Sequence, residues 1–479
     1  MSRRHGSETV GMLGLTAHVS EHRTEHRSLR HGTRWLCLIS SLALVACKTV
    51  DPTEQLDSVR ALEAERGGRL LVWEQSQDDA SLIAIRLDAL LHDGLTRDDA
   101  ATIAVLNNRT LQAEYEALGL AAAEVLQAEL PSNPTLRGAV LFPVSAGDSS
   151  LGLMAWLSDL WLIPTRKDVA SLRSTSTELK VAQMILATAH EAIAAWDGVV
   201  CARRMAQVAR ELEDALHHRS ELIRQLYDNG FVDKVEWTSA VEDLLHQSLV
   251  ARRREYLVQE AAARLAVALS LEGAAERVPE NATLVRATID DTLSVAALLD
   301  EAMSRRLDLM DARVAVQLTA RRLDLERALV WRSVSVGVSY EGDFESVASD
   351  AQNPLGPTFS IEIPIFDQNQ AGIAAANFRL RRATKTLAAA RHRARAEVVT
   401  AWRAWQMTAA QLDTIEGDLN DTIEMTDRYA RTWNDRIDGS YLDVLGASAR
   451  RLRLDALWIE KVLELNGRQL QLERAVLSG

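Results

Sequence analysis

Val334-Ser335-Val336-Gly337-Val338-Ser339-Tyr340 alternates strictly between apolar and small or polar residues, and Thr358-Phe359-Ser360-Ile361-Glu362-Ile363 repeats the pattern after a loop from Glu341 to Pro357. A period of two puts successive side chains on opposite faces of a strand, so the pair reads as a β-hairpin with one apolar face. An earlier pair, around Thr135 to Phe142 and Ser150 to Leu162, reads the same way with looser alternation. Pro164 and Pro364 end the two hairpins 200 residues apart, which suggests an internal duplication.

Outward from the hairpins the period changes to seven. Leu172, Leu179, Leu186, Ile193 and Val200 are evenly spaced, and apolar positions continue to Leu226. Some sixty helical residues make a rod of roughly 95 Å, too long for a globular core, and a seven-residue stripe on such a rod implies coiled-coil-like packing. Asn229-Gly230 marks its end, Asp233 is placed to cap a second helix to about Leu271, and a further helix is expected from Asp291 to Val330. Helix resumes near Ala371, breaks at Asp438-Gly439-Ser440 and returns from Tyr441 to about Leu477. The fold class is mainly α with a small β part, as two repeats of helix, hairpin, long helix, turn and helix.

The boundaries follow. Residues 78–272 form the first repeat, with its hairpin at about 135–163 and turn at about 228–233; residues 291–479 form the second, with hairpin at about 333–364 and turn at about 437–441. A linker spans 273–290, and 47–77 precede the first repeat.

Composition narrows the class. With 479 residues, 47% of them hydrophobic and 25% charged, the balance is that of a folded chain. A net charge of -13 argues against nucleic acid as a partner, because phosphate contacts need a basic face. The apolar run Trp35 to Ala46 behind Arg34 reads as a secretory h-region, too short to span a bilayer, which takes roughly 20 residues. Leu44-Val45-Ala46-Cys47 resembles a bacterial lipobox, making 1–46 a signal segment with an N-terminal extension and Cys47 the lipidation site; an ordinary signal peptide is the plainer alternative. Loss of 1–46 and use of Cys47 leave Cys201 alone, so no intrachain disulfide is expected. After Cys47 no 18 consecutive residues are apolar, and no transmembrane helix is expected.

Four amphipathic strands cannot close a barrel, and an open edge cannot sit in lipid with its backbone groups unpaired. Several chains must share one barrel. Small residues Ser335, Gly337 and Ser339 on one face favour an open interior, hence three chains and twelve strands. The same spacing also suits a small soluble β-domain.

Three phrases then carry a resemblance: Asn107-Asn108-Arg109-Thr110-Leu111-Gln112-Ala113, Leu130-Pro131-Ser132-Asn133-Pro134-Thr135-Leu136, and Ile363-Pro364-Ile365-Phe366-Asp367-Gln368-Asn369-Gln370-Ala371-Gly372. In this order, on a duplicated frame from Asp78 to Gly479, they resemble the TolC-type outer-membrane efflux family, in particular its RND-linked and heavy-metal branches. The resemblance implies a homotrimer with a twelve-stranded outer-membrane β-barrel and a long periplasmic α-helical barrel. It also implies a periplasmic adaptor and an inner-membrane RND pump as partners, outer-membrane lipid around the barrel, and the role of a passive exit duct. An intermediate region would come from 47–77, 273–290 and the C-terminal residues. Around Leu160-Trp161-Leu162-Ile163-Pro164 the first hairpin lacks the Phe-Asp-Gln-Asn phrase. A periplasmic coiled-coil adaptor or scaffold is the alternative, although such proteins usually have one helical hairpin rather than two.

No catalytic constellation, cofactor motif or metal motif is found, so an enzyme is not expected. His217-His218 and His190-Glu191 lack helical zinc spacing and read as solvated helix faces. The rod turns carry Asp228 and Asp233 at one end and Asp435, Asp438 and Asp443 at the other. They read either as turn and cap residues or, under threefold symmetry, as carboxylate rings gating a periplasmic mouth. Gly230 and Gly439 mark the turns an adaptor would touch.

Overall fold

The computed structural model describes residues 49–140, 149–289, 293–342, 355–435 and 441–478, and its compact unit begins at Val50. Its elements are α1 (Thr53–Ala64), α2 (Gln77–Leu91), α3 (Arg97–Asn107), α4 (Arg109–Glu129), β1 (Thr135–Val140), β2 (Ser149–Trp156), α5 (Asp159–Asp228), α6 (Lys234–Leu269), α7 (Val295–Arg305), α8 (Leu307–Ala328), β3 (Val334–Gly342), β4 (Leu355–Ile361), α9 (Gln370–Asp435) and α10 (Tyr441–Leu477). The strands form one antiparallel sheet in the order β1-β2-β3-β4, so the two hairpins join through β2 and β3. Each strand continues into a helix, and α4, α5, α8 and α9 pack side by side in the same order. Farther from the sheet the layer changes membership: α6 packs on α5, α5 on α10 and α10 on α9.

The seven-residue stripe of α5 is buried as its spacing requires, with Leu179, Leu186, Ile193 and Val200 inside. Ile185, Tyr115, Leu118 and Leu307 make one core; Trp196, Val199, Leu265 and Val462 belong to another farther along. One window of α5 is apolar enough by mean hydropathy to cross a bilayer, although it contains no run of 18 consecutive apolar residues, and 67% of it is buried inside the protein. Its apolar content serves the packing between α5 and its neighbours.

Pro164 does not end the first hairpin. The second strand stops at Trp156, Leu157 and Ser158 donate their N–H groups to the Val334 carbonyl, and α5 starts at Asp159 with Pro164 inside it. Proline lacks the N–H that would reach the Leu160 carbonyl, so the second turn of α5 gives up one bond of its ladder. Asp159 holds the turn by accepting from the Ser132 N–H and from Arg166. At the second hairpin an irregular stretch follows Pro364, and Asn369, at φ 55, leads into α9 while its side-chain amide donates to the Glu326 carbonyl at 2.8 Å. Asn tolerates that left-handed conformation better than most residues.

The helix expected from 291 to 330 is broken at Arg306, where φ is -67 and ψ 122. An equivalent break separates α3 from α4 at Asn108, with φ -62 and ψ 117. Neither has a glycine or proline at the break. What stabilises both is tertiary: Asn108 donates to the Ala268 carbonyl at 2.9 Å, and Arg306 donates to the Ala475 carbonyl at 2.9 Å, each near the C-terminal end of its own repeat's last helix. Such carbonyls have no partner within their helix.

Candidate functional site

Ladder register sorts the sheet into two faces. Leu136, Leu153, Val338 and Pro357 lie in one row and Ala155, Val336 and Phe359 in the next, so one face is apolar across all four strands. Phe359 is 81% exposed, and Leu355 and Leu136 are about as open. A contiguous apolar face of this kind suits lipid rather than water. The opposite face carries Ser335, Gly337, Ser339, Thr358 and Ser360, together with Arg137, Met154 and Trp156. Gly337 is small for a local reason: an added Cβ would meet the Leu153 carbonyl and the Met154 side chain. Its size therefore reflects close packing of β2 on β3. β1 and β4 each pair on one side only, leaving two edges.

Between the sheet and the far turns, charged groups are held inside the helical layer. Arg306 is 1% exposed and donates to Asp308 at 2.8 Å, to the Ala475 carbonyl and to Glu397. Burial works against its charge, but these carboxylates raise its pKa overall. Asp197, also buried, accepts from Arg97 at 3.0 Å, and burial outweighs that partner and raises its pKa. His190 is buried rather than solvated, with Nε2 3.4 Å from Glu473 and Nδ1 3.4 Å from Arg474 Nε. Its sequence neighbours gave no sign of this, because α10 supplies both partners. Glu473 is pushed up by burial but held lower overall by hydrogen bonds from His190 and Gln469. Cys201 is buried, and desolvation pushes its thiol up to about 11, so it is a packed, unreactive group at neutral pH.

A connecting stretch from Gly273 ties the long helices together. Arg203 of α5 donates to the Val278 and Ala275 carbonyls at 2.8 and 2.7 Å. Arg286 pairs with Asp413 and Glu416 of α9, and Asn466 of α10 bonds Val285 and Ala287.

The far turns have a different character. Asp233 caps α6, accepting from the Glu236 N–H at 2.8 Å. Asp228 is exposed 3.9 Å from Arg224, Gly230 has φ 77, and Phe231 projects into solvent. Asp443 lies in the first turn of α10. Asp435 ends α9 with its side chain outside the described residues, where Asp438, Gly439 and Cys47 also fall. Among the described residues no group of three His, Cys, Asp or Glu side chains comes together as a metal ion would need. His217 and His218 sit edge to face with each other on α5.

Residues 298–454 match the family model for outer membrane efflux protein. No curated protein matches the sequence. Among solved structures, that of CusC, described as forming a transmembrane channel, is similar with a TM-score of 0.64 at 18% identity over 80% of this chain and 92% of that one. The Campylobacter jejuni CmeC outer membrane channel gives 0.62 at 13% identity over 81% and 87%. The open-state MtrE outer membrane channel of Neisseria gonorrhoeae gives 0.60 at 16% identity over 82% and 88%. Residues 298–454 thus carry the outer membrane efflux protein signature, and over about four fifths of its length the chain shares the fold of these outer-membrane channels.

Proposed function

We propose that the protein is the outer-membrane channel component of a tripartite efflux system, a passive duct for solutes delivered by an inner-membrane pump through a periplasmic adaptor. The observation that carries this is the apolar sheet face, complete across four strands and flanked by two open edges. Open edges are not viable in lipid, so copies must join β4 to β1 until the sheet closes, and three copies give twelve strands around a lumen. An adaptor or scaffold has no use for an unbroken lipid-facing sheet.

In this reading the Ser335, Gly337 and Ser339 face borders water, and α5, α6, α9 and α10 form the periplasmic wall. Cys47 carries lipid as a second membrane attachment. Gly230 and Gly439 lie at the turns that meet the adaptor, and Asp228, Asp233, Asp435, Asp438 and Asp443 draw cations to the mouth. The pump is of the RND type by the resemblance stated above. Planar-bilayer recording of the detergent-purified protein tests the duct: discrete conductance steps are expected, and membranes left silent at every protein concentration would refute it. Replacing Asp435 and Asp438 with Ala should change cation preference while leaving the particle intact; unchanged selectivity would remove those two from the mouth. Labelled palmitate should enter the parent chain and not Cys47→Ala.

A further inference from the structure

The charges on the two outer helices of the sheet-proximal layer are segregated by sign. In α9, residues 371–396 contain seven Lys or Arg and no Asp or Glu, in a chain whose net charge is -13. Beyond them, residues 397–435 contain eight acidic and three basic groups. In α4, residues 110–129 contain four Glu and no basic residue; Glu124 and Glu129 pair with Arg173 and Lys167 of α5, Glu116 accepts from Trp73, and Glu114 is exposed. The seam inside one chain is different: α8 has four residues of each sign, and Asp168 of α5 meets Arg321 of α8 at 3.6 Å. The helices on the two sides of that internal seam are mixed; the two that face outward are not.

Position makes the segregation meaningful. The layer runs α4, α5, α8, α9, so α4 and α9 are its edges, joined by short connections to the edge strands β1 and β4. Ion pairs and core contacts fix the heights. Glu129 is level with Lys167 at 2.7 Å and Glu124 with Arg173 at 2.8 Å; the neighbouring Asp168 is level with Arg321, and Glu326 with Asn369. Lower down, Tyr115 and Leu118 share a core with Ile185 and Leu307, next to Arg306, which reaches Glu397. The stretch from Glu114 to Glu129 therefore spans the same height as that from Arg379 to Arg395. Among the described residues none of the seven α9 cations is in an ion pair; Arg381 lies over the Phe378 ring.

We propose that the basic stretch of α9 docks on the acidic stretch of α4 in a second copy of this chain, forming an electrostatic seam that sets the order in which copies close into a ring. This rests on the multi-chain barrel proposed above and adds what selects the contact. Pairing α9 with α9, or α4 with α4, juxtaposes like charges, so only the head-to-tail contact that also joins β4 to β1 is favoured. Charge complementarity of this kind contributes chiefly to encounter rate and partner choice, while exposed apolar residues such as Leu120 and Phe378 on the two edges add contact area. The seam also accounts for the mixed charges inside the chain: α5 and α8 are already held together by the sheet and need no such selection.

The test follows assembly of the full chain from monomers in detergent, with chains per particle read by light scattering at low and high salt. Arg391→Glu, Arg393→Glu and Arg395→Glu together should slow assembly about tenfold or more at low salt, with a smaller effect at high salt. Adding Ala113→Lys and Glu114→Lys, both at exposed positions, should restore it. Reversed chains that assemble like the parent at low salt would overturn the seam. Because a triple reversal can perturb folding, a chain with Leu120→Cys, Ala389→Cys and Cys201→Ala provides an independent reading. A short bifunctional cross-linker should join two and then three copies, and absence of inter-chain products would also overturn the proposal. A parent that stays a single chain at every concentration would remove the ring itself, an outcome distinct from a parent ring indifferent to charge.

Discussion

The two repeats place the same chain break in the same place and stabilise it by different chemistry. At Asn108 the partners are neutral: Asn107 donates to the Leu269 carbonyl at 2.8 Å and Asn108 to Ala268. At Arg306 a guanidinium does the work of both amides and also engages two carboxylates, one of them Glu397 on α9. The backbone geometry is thus a requirement of the repeat, met by whichever donor reaches the open carbonyls. The difference has an energetic consequence. A neutral amide can lose one bond at modest expense, whereas removing the buried guanidinium takes the donor from two half-buried carboxylates and a carbonyl at once.

Removing each donor in turn would break this comparison most sharply. Arg306→Ala should destabilise the protein by about 3–5 kcal/mol, because Asp308, Glu397 and the Ala475 carbonyl lose their shared partner. Asn108→Ala should lose about 1–3 kcal/mol. Denaturant midpoints of the two variants check the order; equal losses would mean that the charge network adds nothing.

Glycines at the centre of the sheet offer a second comparison between hairpins. Gly337 has backbone and Met154 within clashing distance of a Cβ, while the nearest atom to a Cβ at Gly152 is 3.7 Å away. Gly337→Ala should therefore lower the thermal midpoint of the assembled particle by several degrees, and Gly152→Ala should leave it nearly unchanged.

The smallest effect is a pH slope in the first repeat. Burial raises the pKa of Asp197, so its folded state favours the protonated form. The stability this contributes is present in full below the unfolded value near 3.8 and is lost as pH rises through the folded pKa. Asp197→Asn should remove that slope, so its stability relative to the parent should improve as pH rises from about 4 towards neutrality. A constant gap across that range would show that Arg97 compensates the buried carboxylate fully.

Much of the frame was legible in the sequence because period seven and period two are local signals: Leu179, Leu186 and Ile193 are inside, and Val336 and Phe359 share a face. The breaks at Asn108 and Arg306 were not, since their cause is a carbonyl about 160 residues away. Pro164 misled in the opposite direction, as α5 runs through it in its second turn at the expense of one ladder bond. Of the expected site residues, Asp233 turned out to be engaged as a cap and Asp228 to be open. The burial of His190 depends on Glu473 and Arg474, which no local pattern connects to it.

The central claim is that one chain supplies a third of a closed lipid-facing sheet. Light scattering of the detergent-purified protein counts chains per particle directly. Three chains are predicted, and a stable, monodisperse single chain would contradict the account.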